Sequence, residues 1–182
     1  MVASLILVRL GLRGGDGLPA MEVLDRLAAA LARALGVNCH VDTCFLDVTG
    51  DFDELRAQAY STAILARLSS RAPNAGTALI GVTDLDLYVP VLTFVFGEAQ
   101  LNGPCAVVSA HRLKDEYYGL PANEAALDAR LVKETLHELG HTQGLKHCVD
   151  WHCVMSTAHS VERIDVRQAA FCRQCAERFR CI

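Results

Sequence analysis

The 182-residue chain has no apolar run long enough to cross a membrane, which takes about 20 residues. Its apolar opening, residues 3–8, has no basic stretch before it and stops at Arg9 without a small-residue cleavage pattern, so no targeting segment is expected. There is no Asn-x-Ser/Thr sequon. Positive charge is also short: 17 Lys and Arg face 21 Asp and Glu, for a net charge of −4. A nucleic-acid-binding domain is usually basic, with aromatics among its cations, and aromatics are only 6% of this chain. Neither nucleic acid nor membrane is therefore an expected partner. Arg163, Arg167, Arg173, Arg178 and Arg180 form the one local concentration of cations, which reads as a solvated helix face or as a docking surface. The glycine-rich turn at residues 11–17 is not a phosphate loop, because no Gly-Lys-Ser/Thr follows it.

What is present is concentrated late in the chain. Residues 137–147 read His-Glu-Leu-Gly-His-Thr-Gln-Gly-Leu-Lys-His, the long zinc signature H-E-x-x-H-x-x-G-x-x-H. On a helix His137 and His141 stand four apart and leave the same face, so both can reach one Zn²⁺. Gly144 permits positive φ and a sharp exit, which brings His147 back as a third ligand. Three protein ligands leave a position open, the mark of a catalytic zinc. Glu138 is placed to take a proton from water as general base.

A second cluster follows directly. Four residues separate Cys148 from Cys153 and two separate Cys172 from Cys175, with eighteen between the pairs. That spacing suits a closed, structural Cys₄ zinc. Two disulfides or buried free thiols are the other readings, although residues 172 and 175 fall in an expected helix, where such a pair rarely suits a disulfide. Two Zn²⁺ per chain are thus expected, one catalytic and one structural. Thiolate ligands need a reducing compartment, so a cytoplasmic location is expected.

The stretch from His137 to Cys175 resembles the archaemetzincin family of metzincin-type zinc peptidases: the long histidine motif, a Cys directly after the third His, then Cys153-Val-Met155, then Cys-x-x-Cys. Residues 81–88, 94–99 and 107–113 are similar, more loosely, to the strand segments before that family's active helix. The likeness covers the second half of the chain well and the first half only by size and element order. It implies that Met155 lies beneath the catalytic zinc, that a cleft separates two subdomains, and that substrate binds extended along an edge at residues 91–96. Several metzincin families place a Tyr soon after that Met. None follows Met155 here, which leaves Tyr88, Tyr117 and Tyr118 as substitutes or as packing aromatics.

Hydrophobic residues make up 52% of the chain, enough for a sizeable core, and the length suits one domain. Strands are expected at residues 4–10, 37–46, 77–82, 91–97 and 105–110, and helices at 19–35, 52–68, 121–143 and 166–179, with a polar loop at 69–76. Cys39 and Cys44 fall in the second strand and read as core thiols. Asp84 and Asp86 read as loop residues before an edge strand, with cation binding as the other reading, and His152 as a cleft-wall or surface residue. The expected fold is α/β (α+β), a metzincin-like zincin with a mixed twisted sheet. Residues 1–143 would form the sheet and helix part, and residues 144–182 a small C-terminal subdomain stapled by zinc.

The expected function is zinc-dependent hydrolysis of peptide bonds in a peptide or protein substrate by a chain acting as a monomer. The alternative is a zinc-dependent binding or latent protein whose catalytic-type site is idle; an intact Glu138 argues against it. A zinc-ribbon-like module for nucleic acid is disfavoured by the acidic charge balance.

Overall fold

The first strand, β1 (Ser4–Gly11), is almost continuously apolar, as a strand covered on both faces must be. It runs through the middle of a computed structural model that describes residues 3–72 and 76–180, without the side chain of Arg180. Residues 73–75 of the expected loop, both chain ends and the Arg180 side chain of the arginine run lie outside the described residues.

Helix α1 (Met21–Leu35) buries Leu24, Leu27, Ala28 and Leu31 on one stripe, and Gly36 ends it in the left-handed region. Strand β2 (Asn38–Asp47) returns parallel to β1, and their register shifts between Leu7 and Arg9. Past that irregularity the reading of Cys44 as a core thiol fails. Cys44 is exposed, while Cys39 packs against the core and its thiol is pushed up to about 11 by burial.

The expected helix at 52–68 is a helix only in its second half. Strands β3 (Phe52–Asp53) and β4 (Gln58–Tyr60) form a hairpin, and α2 (Ser61–Ser69) follows. Asp53 accepts hydrogen bonds from the backbone N–H groups of Leu55 and Arg56, which turns the chain back where a helix would have continued. Leu55 is fully exposed, so it gives a helix nothing to bury, whereas Ile64, Leu65 and Leu68 do.

Strand β5 (Thr77–Thr83) pairs with β1, and the short β6 (Leu87–Tyr88) joins β3 and β4 in a second, three-stranded sheet. The strand expected at 91–97 begins only at Gly97. Val91 and Leu92 are exposed on a turn, Val95 makes a single bridge to Leu87, and β7 is Gly97–Ala99. It lies antiparallel to β8 (Cys105–Ser109) at the edge of the main sheet, whose order is β2-β1-β5-β8-β7. The extended edge is therefore a few residues further along than expected.

Helix α3 (Glu124–Thr142) packs with α1 on one face of this mixed sheet, and α2 covers the other. The helix expected at 166–179 begins only at Arg173, as α5 (Arg173–Arg180); a short α4 (Val161–Val166) precedes it, and Arg167 after α4 is in extended backbone. Cys172 accordingly precedes α5, and Cys175 lies in its first turn. Cys153, Val154, Met155 and Ile164 share one buried cluster with Leu5, Ile80 and Leu139. No described helix is long and apolar enough to cross a membrane.

Candidate active site and metal centres

The geometry of the first site is set at the end of α3. The N–H of Leu145 bonds the Gly140 carbonyl at 3.0 Å and that of Gly144 the His141 carbonyl at 2.9 Å, the paired closure of a Schellman cap. Gly144 takes φ 80°, which a side chain would strain. The chain then turns back so that single ligand atoms of His137, His141 and His147 lie within 4.8 Å of one another.

The returning chain also orients the rings. His137 Nδ1 donates to the Val154 carbonyl at 2.8 Å, and His141 Nδ1 to the Leu145 carbonyl at 2.8 Å. A carbonyl only accepts, so both neutral rings carry their proton on Nδ1 and turn a bare Nε2 to each other, 3.1 Å apart. Two lone pairs held this close are what a metal cation between them would satisfy, and backbone support of the second nitrogen is the usual orienting device for histidine ligands. Burial lowers the pKa of both groups, that of His137 well below the ordinary value. His147 stands at the exposed mouth.

Glu138 is buried beside the triad. Burial pushes its carboxyl well above the ordinary range; Glu134 adds to the push and Arg167 opposes it. Its side chain lies against β7 because position 97 is glycine: a Cβ there would come within 2.7 Å of Glu138 Cγ and 2.8 Å of the Val107 carbonyl oxygen. The neighbouring Glu98 is gripped by Ser61 and by Thr62, whose hydroxyl lies 2.9 Å from Oε1. Glu98, Glu138 and the three histidines line a cleft of about 510 Å³ between residues 92–99 and α3, closed on the far side by Thr157, Ala158, His159 and Arg167. Met155 is fully buried, and its sulfur fits against Gly140 of α3, where a Cβ would collide with it.

The second cluster lies next door in sequence. Sulfur atoms of Cys148, Cys153, Cys172 and Cys175 fall within 4.8 Å of one another, with Cys148 and Cys172 3.8 Å apart and no disulfide among them. Cys153 Sγ accepts from the backbone N–H groups of Cys172 at 3.3 Å and Met155 at 3.5 Å. Burial pushes the Cys153 thiol up, and these two donors pull it back toward the thiolate. Four convergent sulfurs suit a tetrahedral metal, whereas paired disulfides would need S–S contacts near 2.05 Å.

Other candidates fall outside the cleft. Tyr88 stacks near Tyr60 beneath Arg56, Tyr117 and Tyr118 are exposed, and no tyrosine is among the described lining residues. Asp84 and Asp86 are paired with Lys114 and Arg112. His152 is on the surface. Arg163 stacks on Trp151, and Arg173 pairs with Glu177, as a solvated face would. Arg167 departs from that reading: it is buried and paired with Glu134 at 2.9 Å. Arg167, Glu134, Gly97 and Glu98 are the cleft residues that sequence reasoning missed. A polar Glu134 one turn before Glu138, on a helix face that is otherwise buried, was the available signal.

A family profile described as Peptidase family M54 matches residues 38–181. The archaemetzincin of Methanocaldococcus jannaschii is 42% identical over 123 residues, 68% of this chain and 66% of that relative, so the match spans about two thirds of its length. Among solved structures, the archaemetzincin of Methanopyrus kandleri has a TM-score of 0.79 at 34% identity, covering 98% of this chain and 94% of that one. A zinc-dependent peptidase from Methanocorpusculum labreanum has a TM-score of 0.84 at 26% identity, covering 97% and 99%. By profile, sequence and fold, the chain belongs to peptidase family M54, the family of the archaemetzincins.

Proposed function

We propose that the chain is a zinc metallopeptidase in which His137, His141 and His147 hold the catalytic metal and Glu138 is the general base. The observation that carries this reading is the pair of bare Nε2 atoms, fixed by backbone carbonyls, beside a buried carboxyl in an open cleft. When bound there, zinc supplies Lewis acidity, lowering the pKa of water toward about 7 and polarising the scissile carbonyl.

The chain's own groups do the rest. The raised pKa of Glu138 brings its proton affinity closer to neutral pH, which suits a group that takes a proton from water and returns it to the leaving amine. The short edge strand β7 offers backbone groups along which an extended peptide can lie. Cys148, Cys153, Cys172 and Cys175 hold a second, structural zinc, which gives two zinc ions per chain and ties residues 144–182 together as a subdomain. A reducing, cytoplasmic setting suits those thiolates. One chain carries every residue named, so a monomer suffices.

The test is incubation of zinc-loaded wild type and Glu138→Ala with a diverse peptide mixture, read by mass spectrometry. Cleavage by the wild type alone is expected. Cleavage by neither would favour an idle or latent site.

A further inference from the structure

Arg167 is the one Arg or Lys among the described lining residues of the cleft, and its side chain is only 1% exposed. Its Nη1 donates to Glu134 Oε2 at 2.9 Å, yet its buried Nε has no hydrogen-bond partner. Elsewhere this molecule shows what an arginine edge does with that nitrogen. Arg26 grips Asp128 side-on through Nε and Nη2 at 2.6 and 3.1 Å. Arg112 holds Asp86 the same way at 2.8 and 2.7 Å, and Arg130 holds Asp165 at 2.8 and 2.8 Å. At Arg167 the protein fills only the Nη1 corner and leaves the Nε edge without an anion. A buried guanidinium donor without a partner is costly, and the planar fork is matched to a carboxylate. Arg167 itself borders the cleft that holds His137, His141 and Glu138.

We propose that the free edge of Arg167 receives a carboxylate of the substrate, so that the enzyme selects peptides bearing a carboxylate near the bond it cuts. Resting on the peptidase reading, this adds a substrate class to it. The carboxylate comes either from an Asp or Glu side chain or from a free C-terminus; both present the same two oxygens. Glu134 sets the polarity of the site: it neutralises the buried cation in the free enzyme and leaves one edge over for the ligand.

The experiment uses one peptide scaffold in four forms: Glu or Gln at a scanned position, each with a free or amidated C-terminus. Cleavage by zinc-loaded wild type is timed, and binding of the same peptides to zinc-loaded Glu138→Gln is measured by fluorescence anisotropy. Carboxylate forms are expected to win by about tenfold or more in both assays. The winning form identifies the source: a side chain if Glu beats Gln with the C-terminus amidated, a C-terminus if amidation alone abolishes the gain. Because Arg167→Gln alone strands Glu134 in the interior, the double variant Arg167→Gln/Glu134→Gln is also used, with its fold checked by circular dichroism. In it the preference ratio should collapse toward one. Equal treatment of all four forms by the wild type, or a preference that survives in the double variant, overturns the proposal while leaving a peptidase intact. If no form is cleaved, the peptidase reading fails, and the binding arm alone decides the role of Arg167.

Discussion

One methyl group at position 97 tests how tightly the base is held. Gly97→Ala would drive its Cβ into the Glu138 side chain and the Val107 carbonyl, and the strand backbone cannot give way cheaply, so Glu138 must shift. We expect the fold to persist and kcat to drop by about 10²-fold, the scale of a misplacement near 1 Å; an unchanged kcat would mean that Glu138 moves freely. Glu138→Gln keeps the shape and removes the base, and should retain metal while losing about 10²–10⁴ in rate, checked by elemental analysis and kinetics on one sample. The lowered histidine pKa values set a pH dependence. Protons compete with zinc for Nε2 only once the folded imidazoles titrate, and burial places that below the ordinary histidine value. Zinc affinity should therefore hold as pH falls through the ordinary histidine range and weaken below it, in a chelator-competition titration; a midpoint at the ordinary value would mean solvent-like rings. For the metal-free protein the folded pKa of His137 lies below the unfolded one. Below the ordinary value the unfolded chain takes up a proton that the folded chain refuses, so this group's contribution falls as pH drops.

At the scale of elements, α3 shows propensity and packing in opposition. Alanine is favoured over glycine in a helix interior by about 1 kcal/mol. At Gly140, however, a Cβ would strike Met155 and come within 3.2 Å of Phe171. Packing should win, and Gly140→Ala should lower Tm; a rise would mean that the Met155 turn sits loosely on the helix. The same helix was the most legible part of the sequence, because a stop glycine, ligand spacing and apolar period agreed on it. The hairpin at Phe52–Tyr60 was not legible, since an Asp side chain capping two backbone N–H groups leaves no periodic trace. The strand shifted to Gly97 was missed for a related reason: Val91 and Leu92 carry a strand composition but sit exposed on a turn. Arg167 was hidden among exposed arginines, because its pairing with Glu134 spans 33 residues and no local pattern encodes it.

For the molecule as a whole, the C-terminal segment contributes Cys153, Val154, Met155 and Ile164 to the same core as the sheet. If the four cysteines hold zinc, Cys172→Ser should lower Tm and remove close to one zinc per chain. Structural zinc in small peptides carries about 10–16 kcal/mol of apparent binding energy, although part of that would be replaced here by the shared core. An unchanged Tm and zinc content would count against a Cys₄ metal. The sheet order and the antiparallel edge needed the pairing of distant strands, which no local pattern of the sequence encodes.

His147 and Cys148 are consecutive, and the Cys148 N–H bonds the Met155 carbonyl at 2.8 Å, so one peptide unit joins the two proposed metal centres. The consequence is a mechanical link. A metal on the four sulfurs would fix Cys148 and, one peptide away, the backbone that carries His147. Emptying the sulfur site by Cys172→Ser should therefore weaken metal held by the three histidines, in a chelator-competition titration; unchanged affinity there would mean that the two centres act independently.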